Sequence, residues 1–175
     1  MQLKSILAVL LIFIFAPCGT AVCQTKAPAQ TAAASDAFKD NGDGTVTDKN
    51  MGLMWQKDDD GRQRNWDDSR NYCNSLSLGG HSDWRLPTLH ELTSLWKTAA
   101  SQAEIRKRYF PSMKSSEVLY PGIVAPYWSS NSGGSNVLPD SSPDEAGFVN
   151  FSDGSVDIGT KHFFAFYSRC ARRGK

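Results

Sequence analysis

Two cysteines, Cys73 and Cys170, constrain this chain more than any other feature, because the sequence around them reads as an exported protein. The N-terminus runs Met1-Gln2-Leu3-Lys4, then an apolar stretch from Ile6 to Ala16, then small residues through Ala21. A positive start, a short apolar core and a small-residue exit are the three parts of a secretory signal. The stretch is shorter than the roughly 20 apolar residues that a membrane helix needs, and no second such run follows. Residues 1–21 are therefore expected to be a cleaved signal, with cleavage after Cys23 as the other candidate. A lipid anchor fits poorly, since Cys18 follows Pro17 and Cys23 follows Val22 rather than a small residue. In an oxidising compartment an even pair of thiols reads first as a structural disulfide and only second as a reactive or metal-binding pair. Such a bridge would close a loop of 97 positions.

What remains after the signal is one domain's worth of chain. The whole sequence carries a formal charge of +1, and the signal takes Lys4 with it. A neutral mature chain lacks the basic excess of a dedicated nucleic-acid binder, so no nucleic-acid partner is expected. Residues 22–37 hold little that can pack and read as a flexible linker. The domain is expected over residues 38–173.

Within it, Asn41-Gly42 and Asp43-Gly44 are tight-turn dipeptides. They precede the β-branched run Thr45-Val46-Thr47 and the short strand Leu53-Met54-Trp55. Residues 65–76 read as a first helix, with Asn65 as cap and Asp68 in the first turn. Gly79-Gly80 is expected to end it. Asp83-Trp84-Arg85-Leu86-Pro87 is extended, because a residue before proline avoids the helical region. Thr88 and Glu91 then form a capping box that opens a second helix. Leu89, Leu92, Leu95 and Trp96 give that helix an apolar stripe. The second half predicts antiparallel strands at 127–130, 147–151, 155–158 and 163–171, with an Asp-Gly hairpin turn at Asp153-Gly154 and a long polar loop at 131–145. Trp55, Trp66, Trp84, Trp96 and Trp128 are candidate core residues.

Several of these segments occur together, in order, in a known pattern. They are Asp40 to Asp48, Gly52-Leu53-Met54-Trp55, Trp66, Cys73 and Leu76, Gly79-Gly80, Asp83-Trp84-Arg85-Leu86-Pro87-Thr88 with Glu91-Leu92, Tyr109-Phe110-Pro111, Tyr127-Trp128-Ser129-Ser130 and Arg169-Cys170-Ala171-Arg172. In this the chain resembles the Lcl C-terminal domain family, a domain of unknown function, from about Phe38 to Arg172. The resemblance implies an α+β fold of the C-type-lectin-like kind, with two helices on small antiparallel sheets. It implies that a disulfide ties the first helix to the last strand, at Cys73 and Cys170. It also implies export, with some members forming the tips of adhesin-like proteins.

No catalytic set stands out. The formylglycine-generating enzymes of that superfamily use a dedicated cysteine pair, and beyond Cys73 and Cys170 only Cys23 could remain. Aligning Asn41, Asp43 and Gly44 with positions 3, 5 and 6 of an EF-hand puts Lys39 and Asn50 at positions 1 and 12, where acidic ligands belong. The loop at 131–145 has Leu138-Pro139-Asp140 where calcium-dependent lectins have Glu-Pro-Asn or Gln-Pro-Asp. His81, His90 and His162 show no metal-ligand spacing. No metal or other cofactor is therefore expected, and folding should not need calcium.

Two weaker sets remain as ligand candidates. One is acidic, Asp140, Asp144 and Glu145, in the long loop. The other is basic, Arg106 and Arg108 with Arg172, a surface for polyanions if it is not simply solvated. The expectation is a periplasmic or secreted binding or adhesion module, not an enzyme, for a glycan, a polyanion or an envelope protein. An enzyme with an unrecognised site and a structural envelope component are the other readings. Any ligand is expected at the 131–145 loop rather than at Asp83-Trp84-Arg85-Leu86-Pro87, since polar loops on a rigid scaffold carry function.

Overall fold

The computed structural model describes residues 37–174, so the expected signal and nearly all of the expected linker lie outside the described residues. Ala37, the last linker position, belongs to the folded part: it is buried, and its carbonyl accepts from Lys49 N–H (2.8 Å). Among the described residues the architecture is α+β, with three helices, small antiparallel sheets and one disulfide.

Strands β1 (Phe38–Asp40), β2 (Thr45–Asp48) and β3 (Leu53–Gln56) form a meander. Its first turn is built by the residues that resembled a calcium loop. Asp40 Oδ1 accepts from Gly42 N–H and Asp43 Oδ1 accepts from Thr45 N–H, each at 3.0 Å. Gly42 and Gly44 take φ of +78° and +85°, a region costly for any residue with a Cβ. The carboxylates are thus committed to their own turn. The meander buries Val46 opposite Trp55.

Helix α1 (Trp66–Ser75) is capped by Asn65, whose side chain accepts from Asp68 N–H (2.8 Å). It buries Trp66, Ser69 and Cys73 on one face. The helix stops at Leu76, which is extended, three residues before the glycine pair that was expected to end it. Gly79 and Gly80 instead form the next turn, both with positive φ.

Helix α2 (Leu89–Leu95) opens with the expected capping box: Thr88 Oγ1 accepts from Glu91 N–H (3.2 Å), and Glu91 Oε2 accepts from Thr88 N–H (2.8 Å). It runs into a π turn at Trp96–Ala100. A third helix, α3 (Ala103–Tyr109), follows, where only two helices were expected. Its apolar face is just Ile105 and Tyr109, four residues apart and both buried. Two positions are too few for a helical period to show.

A small hairpin, β4 (Val118–Tyr120) and β5 (Ile123–Val124), turns at Pro121-Gly122. Then β6 (Pro126–Ser132), β7 (Glu145–Asn150) and β8 (Val156–Thr160) form a three-stranded sheet in that order. The chain closes with β9 (Ala171–Arg173), which pairs with β3 and completes the order β1-β2-β3-β9.

The strand expected over 163–171 is mostly irregular. Phe163 is 75% exposed. Phe166 bridges Arg64 and Tyr167 bridges Tyr127, so the backbone turns to two different neighbours instead of following one ladder. The rings explain this: Phe164, Phe166, Trp128 and Phe148 pack together with centroids 4.5 to 6.0 Å apart.

Two packed clusters make the core. One joins the four-stranded sheet to α2 and α3 through Trp55, Leu92, Leu95, Phe110, Tyr127 and Phe151. The other holds Trp66, Trp84, Trp128, Phe148 and Phe166 with the Cys73–Cys170 disulfide. That bridge joins α1 to the residue before β9, as the resemblance implied. Trp96 alone of the five tryptophans is only partly buried. Among the described residues, no helix is long and apolar enough to cross a membrane.

Candidate functional site

The residues singled out by sequence do not converge. Asp140 and Asp144 are exposed, and Glu145 is half-buried at the start of β7. The loop between β6 and β7 closes on itself. Gly133 N–H donates to Glu145 O (2.7 Å), Gly134 N–H to Leu138 O (2.9 Å) and Ser142 N–H to Glu145 Oε2 (2.9 Å). Leu138 packs on the larger core cluster. The loop is therefore ordered by its own contacts, with Glu145 used as a turn acceptor.

The basic trio divides as well. Arg106 and Arg108 lie on α3, beside β1, while Arg172 lies in β9 at the opposite edge of that sheet. Arg106 donates to Ala100 O (2.7 Å), and the Arg108 guanidinium lies 5.2 Å from the Tyr109 ring centroid. Arg172 is 6% exposed and grips Asp83 through two bonds, Nε to Oδ1 (2.7 Å) and Nη2 to Oδ2 (3.1 Å). This corrects the reading of Arg172 as a free surface cation. Its guanidinium holds the Asp83 carboxyl below the usual range.

Arg169, three residues before Arg172, is fully buried and paired with Asp59. Its Nη2 donates to Asp59 Oδ2 (2.5 Å) and its Nη1 to the carbonyls of Gln56 (2.7 Å) and Lys57 (2.6 Å). The Tyr127 hydroxyl donates to the same carboxylate (3.1 Å), and burial pushes that hydroxyl well above its ordinary pKa. This cluster ties β3, the 57–61 turn, β6 and the last segment together, with no open face.

The open space lies elsewhere. A groove of about 540 Å³ runs between α1, the segment before α2, β6 and the end of β8. Helix α1 contributes Trp66, Arg70 and Asn74, a row at spacing i, i+4, i+8 that one helix face presents together. The extended segment contributes Arg85 and Leu86; β6 contributes Ser130 and Ser132, two residues apart; Lys161 follows β8. The Trp66 indole is pinned by Nε1–H donating to Ser129 O (2.7 Å). The Arg70 guanidinium lies 4.7 Å and the Lys161 ammonium 4.3 Å from the Trp66 ring centroid, an arrangement in which the ring's negative face attracts a cation.

Arg85 is held by Glu91 in a two-point pair, Nη2 to Oε1 (2.7 Å) and Nη1 to Oε2 (2.8 Å). Burial pushes the Glu91 carboxyl up, but the bonds from Arg85 and from Thr88 N–H outweigh it and hold it below its usual value. Glu91 thus completes the cap of α2 and orients a groove cation at once.

The groove adjoins the 83–87 segment and lies outside the acidic turn at Asp140 to Glu145. Its signal in the sequence was the Trp66-Arg70-Asn74 row. Lys161 offered none, because only the fold brings the end of β8 over α1. Among the described residues, no group of three or more His, Cys, Asp or Glu side chains could hold a metal ion. His90 is exposed on α2, and His162 lies 3.9 Å from Asp67 on α1.

No curated protein matches the sequence. The family profile of the Lcl C-terminal domain matches residues 44–172, from the first turn of the meander to β9. That span takes in every element from β2 to the start of β9, the clamped arginines Arg85, Arg169 and Arg172, and the disulfide, and on it the chain belongs to the Lcl C-terminal domain family.

Proposed function

We propose that this is an exported, non-enzymatic recognition module that binds a glycan at the cell envelope, and that its ligand sits in the groove between α1 and β6. The groove itself carries the reading. It sets cations, hydroxyls and an amide above an apolar floor of Trp66 and Leu86, and a few placed polar groups over apolar lining are what small-ligand sites use. Its one short ion pair, Arg85 with Glu91, is already committed to the structure. That suits holding a ligand better than transforming one. The finer fold assignment, C-type-lectin-like, belongs to this proposal. It is supported by small antiparallel sheets, a final strand returning to the first sheet and a disulfide from α1 to the last segment. Periplasmic or secreted placement rests on the N-terminal signal and agrees with that disulfide.

The test is a glycan array probed with the purified protein and two variants. Asn74 is exposed on α1, so Asn74→Trp fills the groove without disturbing the core. The second variant replaces residues 135–141 by glycines and serines. Binding lost in Asn74→Trp and kept in the loop variant supports the groove. The reverse pattern, with both variants folded, moves the site to the loop and refutes the assignment.

A further inference from the structure

The charges of the groove do not balance evenly. Arg85 has Glu91 as its partner, and Arg70 has Asp67 at 3.9 Å on the same helix. Lys161 has none: no ion pair between described residues includes it. Yet Lys161 is only 9% exposed. Its ammonium donates to two neutral acceptors, Ser132 Oγ (2.6 Å) and Pro143 O (2.5 Å), and lies against the Trp66 ring. An ammonium has three protons to give, so one donor remains beyond these two bonds, on a residue that lines the groove. A charge taken this far out of water is costly unless an opposite charge meets it. Neutral oxygens and a π face hold the cation in place without neutralising it.

We infer that the groove takes a monoanionic sugar acid, its carboxylate seated on the Lys161 ammonium. The inference rests on the recognition reading above and names the ligand class. One uncompensated cation calls for one negative charge. A polyanion would bring a charge on nearly every unit and find the neighbouring arginines already paired. The cavity is far larger than a bare carboxylate needs and falls in the range of about 300–1,000 Å³ typical of small-molecule sites. Around the charge stand groups that suit sugar hydroxyls: the Ser130 hydroxyl, the Asn74 amide and the rim guanidinium of Arg70. Ser130 and Asn74 are exposed, and no side-chain hydrogen bond between described residues occupies either. Carboxylate on the ammonium and hydroxyls on the rim is an arrangement that a neutral sugar satisfies only in part.

The deciding experiment is an NMR titration of the purified protein with galacturonate and glucuronate. Galactose and glucose serve as neutral counterparts, acetate as the bare carboxylate and heparin as the polyanion. The sugar acids are expected to shift the amides of Ser130, Ser132 and Lys161 and to bind at least about tenfold more tightly than their neutral counterparts, the size of a charge-assisted bond. Lys161→Met keeps the stem on Trp66 and removes the charge, and it should lose that advantage while Lys161→Arg keeps part of it. If Lys161→Met does not fold, Asn74→Trp is the second variant and should abolish the shifts. Galactose binding as tightly as galacturonate would leave the glycan reading standing and overturn the sugar acid. Acetate binding as tightly as galacturonate would overturn it too, by reducing the site to a seat for any carboxylate. Heparin binding that ignores Lys161→Met but fails in an Arg106→Ala/Arg108→Ala variant would place the anion site on α3. No shift with any sugar, together with an empty glycan array, would refute both readings.

Discussion

Single residues in this protein do more than their types suggest, and the buried Asp59–Arg169 pair shows why. Asp59 and Arg169 are nearly inaccessible, with side chains 1% and 0% exposed. Removing one partner of such a pair strands the other charge in the core, which costs about 3–5 kcal/mol. Asp59→Ala should therefore lower stability by about that amount, read from urea unfolding at neutral pH. A loss under 1 kcal/mol would mean that water reaches Arg169. Glu91 predicts a pH effect. Its carboxyl is held below its ordinary value of 4.5, so the folded state releases this proton more readily than the unfolded chain. The resulting stability is fully present above the ordinary value and is lost as pH falls through the folded value. Asp40, Asp43, Asp60, Asp83, Glu117 and Asp153 are shifted the same way, and all add to the acid limb. Stability should fall as pH drops below the ordinary value of 4.5 for Glu91 and on through the lowered folded-state values. Glu91→Gln should be less stable at pH 7 and decline less steeply in acid. A parallel decline would assign the acid limb to the other carboxylates.

At the scale of elements, the ends of helices carry the local information. The capping box of α2 was legible because Thr88 and Glu91 satisfy free amides of the first turn, a requirement set within four residues. Thr88→Ala should cost about 1 kcal/mol, seen as a lower urea midpoint with an unchanged slope. An unchanged midpoint would show that Glu91 alone holds the end. Helix α3 was not legible. Its two buried positions, Ile105 and Tyr109, sit in a run of charge that reads equally well as a solvated surface. The π turn at Trp96–Ala100 has a physical counterpart in the Asp153-Gly154 turn. A Cβ on Gly154 would lie 2.3 Å from the Trp96 ring, and its φ is +79°. The hairpin between β7 and β8 and the end of α2 therefore depend on one another, and Gly154→Ala should destabilise both. The readout is a lower thermal midpoint than in Ser155→Ala, a control on the same turn.

The molecule as a whole is closed by contacts between residues far apart in the chain. The disulfide sits in the second core cluster and spans 97 positions. Closing a loop of about that length stabilises by roughly 4–5 kcal/mol on the chain-entropy account. Reduction, or a Cys73→Ala/Cys170→Ala double variant, should reduce unfolding stability by an amount of that order. A midpoint that reduction leaves unmoved would mean that packing around Trp84 and Phe166 holds the segment unaided. Local sequence set the short-range features: the turns at Asn41-Gly42 and Asp153-Gly154, the caps at Asn65 and Thr88, and the even cysteine pair. These depend on backbone conformation and hydrogen bonds within a few residues, so their causes are written side by side. The tertiary structure alone decided which charges are free. Arg85, Arg169, Arg172 and Lys161 are the same kind of residue in a sequence. Folding gave three of them carboxylate partners, Arg85 at six positions' distance and the others across 89 and 110 positions. Among the described residues it left Lys161, at the groove, without one, because an ion pair depends on distance in space, which local sequence does not encode.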